Sequence, residues 1–323
     1  MKLTLSAEIA LPESTDTFHL AKTALIAEDR ALWGVVNVEV DDEWEVRVFR
    51  ADATGLTHHA LSGPDVDDVF SAQTLIDLGD GTVAVVLSTG ALRILDTSCS
   101  VIADLAIGGE DALRQSGLQI APSTARGRSD LGCVLRLGSR FGARTLVPLQ
   151  LDTASGSATW GEAIALDGTS YPTDRYGSDD FEGNDAPTAP VIGDVSTAGE
   201  NILICTEGSS ESVLKYGMDF FTVDRLNTDG TLAERLLEQS GWKRMPGKHG
   251  WTGRITSDAD AIILTPIFAS GEWKGKQRVL RLSDGDLSPI TLPRGASKST
   301  VLDVRDGRAW VVDGRGRLLL CEL

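Results

Sequence analysis

Two neighbouring stretches of the chain hold residue types that could do chemistry. Residues 241–254 read GWKRMPGKHGWTGR and set Lys243, Arg244, Lys248, His249 and Arg254 beside Trp242 and Trp251. A guanidinium or ammonium group holds a carboxylate or phosphate while an indole face stacks on a ring, so this stretch is a candidate site for a protein surface or a small anionic ligand. The competing reading makes Trp251 the core-facing start of an inner strand, with the cations paired to nearby acids. Residues 173–185 read TDRYGSDDFEGND, in which Asp179, Asp180, Glu182 and Asp185 are closely spaced carboxylates. Oxygen ligands in such number suit a hard cation, which makes this either a weak calcium site or a solvated acidic loop. The spacing is not that of an EF-hand, and no other cofactor is implied.

The remaining reactive residues are dispersed. His58 and His59 are adjacent within a strand-like run and therefore point to opposite faces. Cys99, Cys133, Cys205 and Cys321 form no CxxC pair and read as buried thiols rather than a metal site or disulfide framework. No GxSxG is present, and Asp313 to Arg317 (DGRGR) lacks the strand-to-helix setting of a phosphate loop, so it reads as a hairpin turn.

The elements that must position these residues are short runs of alternating or continuous apolar character, bounded by Gly, Asp and Ser. A strand ending in an Asx-rich turn recurs, marked by Asp52, Asp96, Asp152, Asn227 and Asp284 at spacings of 44, 56, 75 and 57 residues. Propeller repeats run to ~40–50 residues, so the longer intervals contain insertions. A second turn set, at Glu28-Asp29, Asp80-Gly81, Ala198-Gly199, Asp258-Ala259 and Asp306-Gly307, precedes the same strand pairs. The pattern predicts an all-β, six-bladed β-propeller in one domain spanning residues 1–323, with blades near 18–61, 72–107, 115–166, 188–239, 250–292 and 299–323. The last blade has three strands at the C-terminal end and takes its fourth from residues 2–11 (KLTLSAEIAL), which covers two sheet edges at once.

In a four-stranded blade the a–b and c–d turns lie on one face of the disc and the b–c and inter-blade connections on the other. Short turns are expected on the first face. The long segments 167–187, 208–218, 240–249 and 269–276 are expected on the second, around blades four and five. Long loops on a rigid scaffold are where binding concentrates.

The run of blades resembles six-bladed propellers along nearly the whole chain. It is WD40-like in repeat length only, without the Gly-His and Trp-Asp pairs, and it carries no kelch double glycine. Among six-bladed propellers the SMP-30/gluconolactonase family implies a metal-dependent lactone or ester hydrolase, with one Glu, two Asn and one Asp of the inner strands holding a divalent cation. This chain has Asn37, Asn184, Asn201 and Asn227 to offer, and only Asn184 with Asp185 approaches an inner strand from the right side.

A net charge of −17 and a pI near 4.6 oppose nucleic acid or an anionic membrane as the main partner. Hydrophobic content of 41% supplies a core, no apolar stretch approaches the ~20 residues of a membrane span, and Glu8 interrupts the first apolar run. A monomeric, cytoplasmic protein is expected. The sequence favours a non-catalytic interaction or ligand-binding propeller over the hydrolase.

Overall fold

Runs in which apolar residues occupy every position, or every second one, become strands buried on both faces or on one. The computed structural model describes residues 1–13, 15, 17, 20, 23–62, 66, 72–79, 81–87, 91–109, 122–123, 127–128, 133–139, 142–152, 155–162, 188–198, 201–209, 220–227, 229–240, 253–258, 261–266, 279–296 and 299–323. After β1 (Thr4–Ala10) comes a four-stranded sheet of β2 (Leu25–Ile26), β3 (Leu32–Val40), β4 (Glu43–Asp52) and β5 (Gly55–Ala60). Next are β6 (Ala72–Gly79), β7 (Thr82–Leu87), β8 (Ala91–Leu95) and β9 (Val101–Gly108), then β10 (Pro122–Ser123), β11 (Gly127–Arg128), β12 (Cys133–Ser139), β13 (Gly142–Asp152) and β14 (Ser157–Trp160). A second four-stranded sheet follows, of β15 (Thr188–Ala198), β16 (Asn201–Ser209), β17 (Phe220–Leu226) and β18 (Leu232–Ser240). A third holds β19 (Gly253–Asp258), β20 (Ala261–Pro266), β21 (Leu280–Ser283) and β22 (Asp286–Pro289). The closing sheet holds β23 (Thr300–Arg305), β24 (Arg308–Val312) and β25 (Arg317–Glu322), with β1 outermost.

The inner strands follow one another around a ring: β2 against β6, β6 against β10, β11 against β15, β15 against β19, β19 against β23, and β23 back against β2. The chain is a β-propeller. Its strands pair into five sheets rather than the six expected, because β6 to β14 form one nine-stranded sheet. The outer strands β9 and β14 pair in parallel, Ala158 opposite Ile107 and Thr159 opposite Gly108, and β11 pairs in parallel with β6. Gly109, at φ 84°, permits that approach, since a Cβ there would meet the Trp160 carbonyl oxygen at 3.1 Å. The parallel contact satisfies backbone groups on two edges that would otherwise face water.

Packing between sheets follows the strand period of two. On β24, Trp310 and Val312 pack towards β3, while Ala309 and Val311 pack towards β20. On β3, Leu32, Val36 and Val38 face the closing sheet, and Trp33 and Val35 face β6 and β7. Both faces of these middle strands are buried, which is why their sequences are continuously apolar instead of alternating. The outermost β5 is exposed along most of its length.

The expected closure is observed. β1 runs antiparallel to β25, from Thr4 opposite Glu322 to Ala10 opposite Arg317, with a bulge between Leu5 and Ala7. Leu3 and Leu11 at its ends are buried. Arg317 donates to Glu8 of β1 at 2.8 Å and to Asp313, while the backbone N–H groups of Arg315 and Arg317 donate to Asp313 at 2.9 and 3.0 Å. The DGRGR stretch is thus the expected hairpin turn. Burial opposes ionisation of Asp313, but these donors outweigh it and hold the carboxyl below its ordinary range.

A second closure lies on the inside of the ring. Asp303 of β23 accepts the Ile26 N–H of β2 at 2.7 Å. Arg305 donates to the Ile26 carbonyl at 3.3 Å and reaches past it to Asp77 of β6 at 2.7 Å. One guanidinium therefore clasps three consecutive inner strands, of which the middle one is only two residues long.

The Asx turns form as expected. Asp52 accepts from the hydroxyl and N–H of Thr54, which hold its carboxyl down to about 2 despite partial burial. Asp96 accepts from Ser98 and Ser100, Asp152 from Ser155, and Asn227 donates to Thr231. Arg50 joins the two turn sets by binding Asp29 and Asp52, and Gly307 N–H donates to Asp258 at 2.8 Å, so both sets share one face. The opposite face also carries short turns, contrary to expectation: Asp41-Asp42, both at positive φ, joins β3 to β4, and Asp313 to Gly316 joins β24 to β25. Asp tolerates that backbone region well enough to make a two-residue hairpin.

Three outcomes follow from the seam. Removing residues 1–11 exposes the β25 edge and forfeits the burial of Leu3 and Leu11, a loss of about 3–6 kcal/mol. The truncated chain should melt well below the parent, and a cooperative melt at the parent temperature would exclude β1 as the latch. Asp77→Ala and Arg305→Met should each cost about 3 kcal/mol by stranding a half-buried or buried charge, and the double variant should cost less than their sum in urea denaturation. Asp313, with a lowered native pKa, stabilises the fold fully above the ordinary carboxylate range and loses that contribution as pH falls through the range. Asp313→Asn should therefore lower the urea midpoint at pH 6 and narrow its difference from the parent near pH 3.

Candidate functional site

A cleft among the described residues lies at the seam between the β15–β18 and β19–β22 sheets. It has a volume of about 520 Å³ and opens on the turn face. Strand register builds its first wall. Leu203 of β16, Arg225 of β17 and Glu234 of β18 stand opposite one another, and Arg225 donates to Glu234 at 2.6 Å. Adjacent Asp224 points the other way, on the face shared with Ile204 and Leu226. Arg235, at the rim, turns its guanidinium back onto this carboxylate, with Nε 2.9 Å from Oδ1, and also binds Glu238 at 2.7 Å. Asp224 is wholly buried, and burial pushes its carboxyl above the ordinary range although Arg235 and Thr222 both donate to it.

The second wall comes from β19 to β21. Ser257 is buried on the inner side and shares a 3.2 Å hydrogen bond with Ser196 of β15, which ties the two inner strands together. Asp258 and Ala261 flank the β19–β20 turn, and Ile262 and Leu282 supply apolar floor beside Leu203 and Leu236. The β21–β22 turn closes the outer side, with Asp284 at φ 51° and Gly285 at φ 79°. A Cβ on Gly285 would sit 3.8 Å from the Leu236 carbonyl oxygen, so this turn abuts the first wall. Asp284 accepts only from its neighbour Ser283, at 3.0 Å. The arrangement is a mainly polar cleft with a small apolar floor, suited to recognition.

Of the sequence-derived binding residues, Trp242, Lys243, Arg244, Lys248, His249 and Trp251 lie outside the described residues. Arg254 is described in its backbone, in β19 opposite Thr265. The carboxylates Asp179, Asp180, Glu182 and Asp185, and the long segments around them, also lie outside. Among the described residues no three His, Cys, Asp or Glu side chains converge as a metal site. Of the residues offered for a hydrolase cation, Asn184 lies outside the described residues, Asn37 is on β3, Asn201 begins β16, and Asn227 is spent on its turn. Of the inner-strand carboxylates, Asp77 is bound to Arg305 and Asp303 accepts the Ile26 N–H. Cys99, Cys205 and Cys321 are buried free thiols, and burial pushes Cys99 up to about 12 and Cys321 to about 11.

The cleft is a separate candidate from the sequence-derived residues. The signal for the cleft was present in Arg225 and Glu234, which flank the Asn227 turn, and in the Asp284-Gly285 pair. A register is needed to see that they meet.

No family model matches the chain, and no curated protein sequence does either. Among the solved structures similar to it are two. One is a protein of unknown function from Bacteroides caccae, 13% identical over 70% of this chain and 69% of that one, with a TM-score of 0.40. The other is BamB from Moraxella catarrhalis, 10% identical over 99% of this chain and 100% of that one, with a TM-score of 0.43. Likenesses this remote transfer no function, and the site has to be read from its own residues.

Proposed function

We propose that the chain is a non-catalytic binding propeller that holds a partner at the seam of the β15–β18 and β19–β22 sheets. The observation that supports this reading is the cleft itself, with a floor of Leu203, Leu236, Ile262 and Leu282 under a charged mouth. Such a surface gains affinity from its apolar floor and orientation from its polar rim. Two hydroxyls line the cleft: Ser257 shares a hydrogen bond with Ser196, and Ser283 donates to Asp284. In sequence the basic and aromatic residues 241–254 lead directly into β19, whose other end lines the cleft, and they supply a second candidate contact surface. That surface would take a protein or a small anionic group through Arg244 and Lys243, with Trp242 as apolar contact.

Pull-down from cell extract with parent, Ser283→Trp and Trp242→Ala/Arg244→Ala proteins, run beside thermal melts, tests the reading. The indole of Ser283→Trp fills the slot from a half-exposed position. Bound material should fall about tenfold without a change in melting, and the loop variant should lose a smaller share. Retention of all binding by Ser283→Trp with its loss in the loop variant would move the site to residues 241–254. Lactone or ester turnover by the purified parent, abolished in Ser283→Trp, would replace binding with catalysis.

A further inference from the structure

The two walls of the cleft differ in charge balance, and that difference selects an occupant. On the β17–β18 wall each cation already has its carboxylate: Arg225 has Glu234, and Arg235 has Asp224 and Glu238. On the opposite wall Asp284 has no ion-pair partner among the described residues. Its side chain lines the mouth of the slot. Asp258 stands across the same opening. An anion entering here would meet Asp258, Asp284 and Glu234, and would have to break the Arg225–Glu234 pair to find a cation. A cation meets Asp284 directly, while its apolar neighbour can occupy the floor of Leu203, Leu236, Ile262 and Leu282.

The wider field favours the same sign. The turn face also presents Asp96, Asp229 and Asp284, none of them in an ion pair among the described residues, on a chain of net charge −17. Such a field steers cations towards a low-dielectric slot. The volume of about 520 Å³ falls within the range that accepts a drug-sized ligand, roughly 300–1,000 Å³, and so exceeds the needs of a simple amine. We propose that the cleft binds a basic peptide segment, an apolar side chain flanked by Lys or Arg, with the cation on Asp284. The proposal rests on the cleft being the binding site and adds the class of partner.

Fluorescence anisotropy with two labelled probes, the peptides Lys-Leu-Lys-Leu-Lys and Glu-Leu-Glu-Leu-Glu, separates the two claims. The parent should bind the basic probe, more weakly as salt rises from low to physiological strength. Asp284→Asn, which keeps a residue tolerant of positive φ, should weaken that binding by about tenfold, the size of one charge-assisted contact. Asp96→Asn, at a turn elsewhere on the same face, should leave it unchanged, and Ser283→Trp should abolish it. Equal loss in Asp284→Asn and Asp96→Asn would mean diffuse attraction to an acidic face and would overturn the proposal. Binding of the acidic probe alone, lost in Ser283→Trp, would overturn the partner class while leaving the cleft as the site. Failure of the parent to bind the basic probe, or basic-probe binding indifferent to Ser283→Trp, would overturn the proposal as well.

Discussion

The guanidinium of Arg305 is the contact on which the ring depends most. A propeller is a strip of sheets bent until its ends meet, and only the ends distinguish it from an open stack. Here the first inner strand is two residues long and offers little surface of its own to hold the seam. Arg305 compensates by binding the Ile26 carbonyl and, beyond it, Asp77, while Asp303 takes the Ile26 N–H. A charged bridge between nearly buried groups carries a desolvation cost, and its merit is directional: it is satisfied only when three strands stand in one order. On the outside the β1–β25 ladder and the Arg317–Glu8 contact repeat the closure in backbone and side-chain form.

Everything between the seams is stacking. Each sheet interface carries an apolar cluster built from alternate residues of neighbouring strands, and the turns on one face are cross-tied by Arg50, Asp258 and the inner-strand serines. The cleft arises where this stacking is interrupted. Arg225 and Glu234 occupy positions where the same strands elsewhere place leucine and valine, so the two sheets stand apart at the turn face while remaining packed deeper in. A site of this kind costs the fold little because the interruption lies at the end of the strands.

Much of this was legible in the sequence. The Asx-rich turns at Asp52, Asp96 and Asp284 mark strand ends because Asp and Gly adopt backbone conformations that other residues avoid, and that preference is local. The pairing of residues 2–11 with the C-terminal strands was legible from a count, since a set of three strands lacks a fourth. The joining of two expected blades into one nine-stranded sheet was not, because parallel pairing between β9 and β14 leaves no periodicity of its own. Its trace is the Gly108-Gly109 pair, which admits a neighbouring backbone. The cleft was hidden for a related reason: Arg225, Glu234 and Asp284 are unremarked surface charges until register sets two of them side by side and sheet packing brings in the third. Asp224 and Arg305 gave no sequence signal of burial either, since a charged residue reads as exposed until its partner, many residues distant, is known.

The seam also sets an order of events along the chain. Its contacts join residues separated by 228, 277, 309 and 316 positions, from Arg305 with Asp77 to Ser6 with Glu322. During synthesis from the ribosome, strands β2 to β22 can pair with near neighbours as they emerge, but β1 has no ladder to join until β25 exists. For most of that time the first strand is an unclaimed edge, and its exposed residues in the finished ring (Thr4, Leu5, Ser6, Glu8 and Ala10) include one large apolar side chain, Leu5. A latch that waits so long is better kept short, bulged and mostly polar on its outer face, because a long apolar strand would find another chain before it found its own end. The composition of β1 is thus as much a matter of timing as of stability.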